Sequence, residues 1–173
     1  ICCRKSIVSV FRNNREIFYG EVRKVPNIDR YRNKQIYCTG ALSFLADSIQ
    51  PQAEYHDISP AALLGRMLEI HNSQVEPRKQ IKLGYVSITD PNNSLYRCTN
   101  YENTLEAIRE KLVNRLGGYL RLRHVDDQLI LDWVSIEQYG NYSTQPIEFG
   151  LNLLDYSETT SAEDVVTAII PLG

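Results

Sequence analysis

The stretch from His71 to Arg123, HNSQVEPRKQIKLGYVSITDPNNSLYRCTNYENTLEAIREKLVNRLGGYLRLR, decides the reading of this chain. It spells a strand, a turn, one capped amphipathic helix, a double-glycine stop and a second strand. The strand is IKLGYVSITD, with Ile81 and Leu83 on one side and Val86 and Ile88 on the other; the alternation changes phase at Gly84, which implies a bulge or bend. Asp90-Pro91-Asn92-Asn93 is a turn, and it lacks the oxygen-ligand spacing and distal Glu of a calcium loop. The helix is expected over 104–116. Asn103 caps it, Glu106 reaches back from the third position, and Leu105, Ile108, Leu112 and Leu116 make the apolar seam. Gly117 stands where a left-handed C-terminal residue belongs.

Working outward, YLRLRHV and QLILDWVSI are separated by Asp126-Asp127, a hairpin signature. Arg121 and Arg123 alternate with Leu120 and Leu122, so one face is apolar and the other cationic. No glycine-rich loop accompanies the two arginines, which favours a solvated or intersubunit face over a phosphate site. Upstream, Ser59-Pro60 starts another helix, over 60–72, with Ile58 positioned to staple onto Leu63. Its seam is Leu63, Leu64, Met67, Leu68 and His71. Two amphipathic helices interleaved with strands predict an α+β unit over 53–137, with both helices on one face of a mixed or antiparallel sheet.

The first fifty residues read as a β-meander. SIVSVFR alternates, Asn13-Asn14 turns the chain, REIFYGEVRKV returns and QIYCTG makes a third strand; Leu42, Phe44 and Leu45 follow as a short apolar, helical-turn stretch before Gln50-Pro51. From Gln138 onward the chain is loop-rich and acidic, ending in the apolar run VVTAIIPLG.

The 173 residues carry a formal net charge of −2, and no apolar run is long enough to span a bilayer. Residues 1–50 hold nine Lys/Arg against four Asp/Glu, a net of +5; residues 137–173 hold none against six, a net of −6. Neither a basic groove interleaved with aromatics nor helix–turn–helix spacing is present, so specific nucleic-acid binding is not expected. Complementary surfaces within or between subunits explain the split better.

Cys2, Cys3, Cys38 and Cys98 lack the paired spacing of a zinc site and read as buried or incidental reduced thiols. His71, with no carboxylate or second histidine beside it, reads as a hydrogen-bonded boundary residue rather than a base. His56-Asp57 is the nearest approach to a catalytic pair, and sequence neighbours do not make a dyad on that ground alone. Tyr139, Tyr142 and Tyr156 suit an interface or a sheet as well as a glycan-stacking surface. No catalytic, cofactor-binding or metal-ligating residue is therefore assigned, and the chain is not expected to be an enzyme.

The His71–Arg123 grammar, with QIYCTGALSFLADSIQP upstream (35–51) and IEFGLNLLDY downstream (147–156), resembles the N-terminal structural region of the prophage tail-endopeptidase and tail-tip hub family. The resemblance covers nearly the whole chain in order. It implies β-rich, tube-like barrel portions at 1–52 and 138–173 flanking the α+β middle domain at 53–137. It implies a virion structural role at the tail tip or baseplate, continuing the tail tube as a homotrimer among other tail-tip, distal tail and tape-measure proteins, after synthesis in the host cytoplasm. Members often carry a peptidoglycan-cleaving or peptidase domain further along the chain than these motifs reach. A tail-associated hydrolase with its catalytic domain beyond this chain, or a glycan-binding module, is the alternative. The chain opens Ile1-Cys2-Cys3-Arg4-Lys5 and closes on an apolar run, so both ends are expected to continue in a longer protein.

Overall fold

The computed structural model describes residues 2–25, 35–91, 96–140 and 143–158. Two compact units are present, 1–140 and 141–173.

The first unit opens with the meander. Strand β1 (Ile7–Arg12) pairs antiparallel with β2 (Arg15–Lys24), and β2 with β3 (Tyr37–Gly40). Asn13 and Asn14 both take positive φ, 51° and 59°, the conformation that a two-residue hairpin requires and that asparagine tolerates. Residues 41–47 then coil into a short 3-10 segment that buries Ala41, Phe44 and Leu45.

Helix α1 (Pro60–Gln74) begins as its residues dictate. The Ser59 hydroxyl accepts from the Ala62 N–H at 3.2 Å, and Pro60 occupies the first turn, where no N–H is needed. Leu63, Leu64, Met67, Leu68 and His71 are buried, while Arg66 and Glu69 lie outside.

Helix α2 (Thr104–Ile108) runs through a wide π turn (Arg109–Val113) into α3 (Asn114–Leu116), filling the expected 104–116. The Asn103 side chain accepts from Glu106 N–H at 2.9 Å and donates to the Glu106 carboxylate at 2.9 Å. The capping contact is therefore reciprocal, but it returns to the amide side chain rather than the backbone. The π turn displaces the seam: Thr104, Ala107, Ile108 and Leu112 are buried, with Leu105 and Leu116 only half so. Gly117 has φ 78° and ψ −163°, so it is extended in ψ rather than left-handed helical. A Cβ on Gly118 would strike Ile88 and the Trp133 indole, whose N–H donates to the Gly117 carbonyl at 3.0 Å.

Strand β5 (Ile81–Val86) is parallel to β8 (Gln128–Val134), and β7 (Tyr119–Val125) is antiparallel to it, giving a mixed sheet in the order β5-β8-β7. The Asp126-Asp127 turn takes φ 49° and 57°, the second hairpin of that kind. The β5–β8 register slips between Leu83 and Val86, at the expected bulge. Leu129, Leu131 and Trp133 alternate onto one face of β8 and share a core with the buried residues of α1 and α2, so both helices cover that face. Strand β4 (Ala53–Tyr55) pairs with β6 (Arg97–Thr99) in a two-stranded ribbon that no local pattern announced. A last short helix, α4 (Ile136–Tyr139), follows β8.

Ala41, Phe44 and Leu45 belong to the same core as Leu63, Ile108 and Trp133, so the division drawn at 52/53 falls inside this unit. The architecture is mixed α and β, with three small sheets. None closes into a barrel among the described residues.

In the second unit, the described segment turns at Gly150 (φ 79°). The Glu148 carbonyl gathers the N–H groups of Leu151, Asn152 and Leu153, and Phe149 bridges Leu153.

Candidate functional site

Three polar constellations lie within the first unit. The first is on the sheet face away from the helices. In a hairpin turned at Asp126-Asp127, Arg121 stands opposite Asp132, with Arg123 two residues along on the same face. Arg123 forks onto both Asp132 oxygens, Nε to Oδ2 at 2.6 Å and Nη2 to Oδ1 at 2.9 Å. Arg121 adds Nη2 to Oδ2 at 3.1 Å, and the Tyr85 backbone N–H donates to Oδ1 at 2.9 Å. The carboxylate is fully buried while both guanidinium side chains stay about 40% exposed (41% and 44%). The Arg123 hydrogen bonds, against the cost of burial, pull the Asp132 carboxyl down to about 2. The cationic face is thus neither simply solvated nor phosphate-ready: two guanidiniums share one anion.

Those arginines open onto a cleft of about 730 Å³, whose other wall is the first half of β2. Across its inner end, the His124 ring stacks on Tyr19 at 3.9 Å, and its Nδ1 lies 2.8 Å from the Glu16 carboxylate. Burial pushes the Glu16 carboxyl up, but hydrogen bonds with His124 and Ser9 outweigh it and leave it below the ordinary range. Arg15, exposed at the rim, makes no ion pair with a described residue.

The second constellation is buried. Ser48 Oγ is 2.7 Å from His71 Nδ1 and 2.7 Å from Thr104 Oγ1, and the Gln50 amide donates to Thr104 Oγ1 at 2.8 Å. His71 Nε2 lies 3.1 Å from the Lys79 carbonyl, which only accepts, so Nε2 carries the proton. The directions then follow in one chain: Gln50 to Thr104, Thr104 to Ser48, Ser48 to His71, His71 to the Lys79 carbonyl. Each hydroxyl and ring nitrogen has a partner, while the buried Gln50 Oε1 has none among the described residues. Burial pushes the imidazole below its ordinary pKa of 6.5. A serine 2.7 Å from a histidine nitrogen has the spacing of a nucleophile and its base. Here Ser48 is 2% exposed and His71 0%, so no substrate reaches them, and the chain fastens α1 to α2.

The third joins the meander to the α1 side. Lys79 Nζ contacts Glu21 at 3.0 Å and Asp47 at 2.6 Å, and Arg23 reaches Glu21 at 3.3 Å. The Glu21 side chain is fully buried, and the Lys79 ammonium also lies 5.1 Å from the centre of the Phe44 ring.

Residues weighed from the sequence fall elsewhere. His56 is exposed, contacts Glu54 at 3.4 Å and tilts against Tyr96 at 4.6 Å. Cys2, Cys3 and Cys98 are exposed and Cys38 is half-buried, all four as free thiols, so they are incidental rather than buried. Tyr139 stacks on Tyr119 at 4.9 Å, Tyr156 is exposed with its hydroxyl on Glu158, and Tyr142 lies outside the described residues, as do Asn92 and Asn93. Among the described residues no group of three or more His, Cys, Asp or Glu is gathered for a metal, and no helix is long and apolar enough to cross a membrane.

Asp132, Ser48, Gln50 and Glu21 did not stand out in the sequence. Asp132 had a signal: a two-residue turn at 126–127 puts residue 132 opposite residue 121 by counting. No protein-family model, curated protein or solved structure matches this chain.

Proposed function

We propose that this chain is a structural segment of the central hub at a phage or prophage tail tip or baseplate, continuing the tail tube and anchoring further tail-tip domains. The observation that carries the reading is the open β1–β2–β3 sheet. Strand β1 pairs on one side only among the described residues, and Val10, Phe11 and Ile17 on its hairpin are 42%, 64% and 58% exposed. An apolar hairpin with an unpaired edge invites continuation by further β structure, as a tube-like wall built from several chains would supply. The charge split, +5 in residues 1–50 and −6 in residues 137–173, suits head-to-tail contacts between copies.

On this reading the natural partners are two further copies of the protein, together with distal tail and tape-measure proteins. The protein is made in the bacterial cytoplasm and carried at the virion tail tip. The test is antibody labelling of induced particles with serum raised against this chain. Label at the end of the tail away from the head is expected. Tails that assemble fully and carry no label overturn the proposal.

A further inference from the structure

The cleft between β2 and β7 is walled by two runs of consecutive residues, 15–19 from one strand and 121–125 from the other. Successive side chains of a strand point to opposite faces, so the unbroken run 121–125 lines the cavity along the edge of β7, where the backbone N–H and C=O groups are presented; the run in β2 carries a register shift that skips Ile17. Among the described residues both edges are unpaired there. Strand β3 meets β2 only from Gly20 onward, and β7 pairs with β8 alone, so among the described residues no strand bonds to the cleft side of either run.

Three arginines line these edges against the carboxylates of Glu16 and Asp132, and Asp127 stands 4.0 Å from His124. Arg121 and Arg123 share the single Asp132 carboxylate, Arg15 makes no ion pair with a described residue, and Glu16 is engaged by His124. Apolar side chains also line the cavity, Phe18 and Leu122 among them.

We propose that this cleft is a binding slot for an extended acidic peptide segment, which enters as an added strand between β2 and β7 and displaces the His124 ring from Tyr19 and Glu16. Its backbone pairs with the free edges, its alternate apolar side chains settle against Phe18 and Leu122, and its carboxylates meet Arg15, Arg121 and Arg123. The slot stands independently of the tail-hub reading, since it rests only on strand edges and charge within the first unit.

The test is fluorescence anisotropy of the whole chain with a labelled peptide of about six residues that alternates Val with Glu or Asp, a length typical of one strand. Three competitors accompany it: the same peptide with Gln and Asn for its acids, the same peptide N-methylated at alternate amides, and a sulfated oligosaccharide. Amide hydrogen exchange of the complex is read in parallel. Saturable binding is expected, with new protection confined to residues 15–19 and 121–125. Affinity should fall about tenfold with Arg15→Glu, an exposed position that leaves the fold intact, and both altered peptides should compete poorly. No binding, protection at another strand edge, undiminished competition by the N-methylated peptide, or equal competition by the sulfated sugar would each overturn the proposal.

Discussion

The Asp132 carboxylate occupies the space that a side chain on Gly84 would need. A Cβ at position 84 would collide with Asp132 Oδ1, with Ile130 and with the Leu131 carbonyl. Because Gly84 leaves that space open, Oδ1 can accept the Tyr85 N–H at 2.9 Å while Arg121 and Arg123 hold the rest of the carboxylate. The β5 bulge and the buried anion are one arrangement.

Gly84→Ala therefore removes more than chain flexibility. The new methyl must displace either Asp132 from its arginines or β5 from β8. A loss of roughly 2 kcal/mol is expected, read as a lower urea midpoint at unchanged slope. A midpoint equal to that of the parent would contradict the shared-space account.

Two pH windows follow from the buried groups. His71 titrates below 6.5 in the folded chain, so protonation favours the unfolded state, and stability should fall as pH drops below about 6.5. His71→Gln should flatten urea midpoints between pH 7.5 and 5.5, whatever its effect on absolute stability. Asp132 is held at about 2 against an ordinary 3.8, so its contribution is present above 3.8 and lost as pH falls from there towards 2. That second loss amounts to roughly 2 kcal/mol, and Asp132→Asn should abolish it.

Lys79→Met takes the nearest cation from the fully buried Glu21, leaving Arg23 at 3.3 Å as its remaining counter-ion. The expected cost is about 3 kcal/mol by chemical denaturation. Adding Glu21→Gln should restore much of it, because the penalty comes from a buried carboxylate left with one counter-ion in place of two rather than from lost attachment. Equal instability in the single and double variants would show that the contact matters only as a tether.

On the proposed structural role, this chain is expected to show no hydrolytic activity of its own, and any wall lysis by the natural protein to depend on residues outside it. Zymography against host cell walls should show no clearing above a heat-treated control. Clearing by the chain alone would contradict the structural role.

Much of the fold was legible because its signals are local. Asn13-Asn14 and Asp126-Asp127 set two hairpins through turns that demand positive φ, and Ser59-Pro60 and Asn103 set two helix starts through side-chain caps. The π turn within 104–116 was not legible, since the apolar spacing across it reads equally well as α-helix. Nor was the β4–β6 ribbon, whose strands are three residues each and join segments far apart in the chain. The buried polar chain failed to show for the same reason: Ser48, His71 and Thr104 meet only through tertiary packing, and each alone reads as an ordinary loop, helix-edge or cap residue. The cleft brings residues 15–19 and 121–125 together, which no pattern within either strand records.

The central claim is that copies of this protein close a ring, and molar mass measures that most directly. Multi-angle light scattering of the intact reading frame across a salt series should give a trimer at low ionic strength that loosens as salt screens the +5 and −6 ends. A stable monomer at every salt concentration would contradict the account, because one copy cannot surround a tail axis.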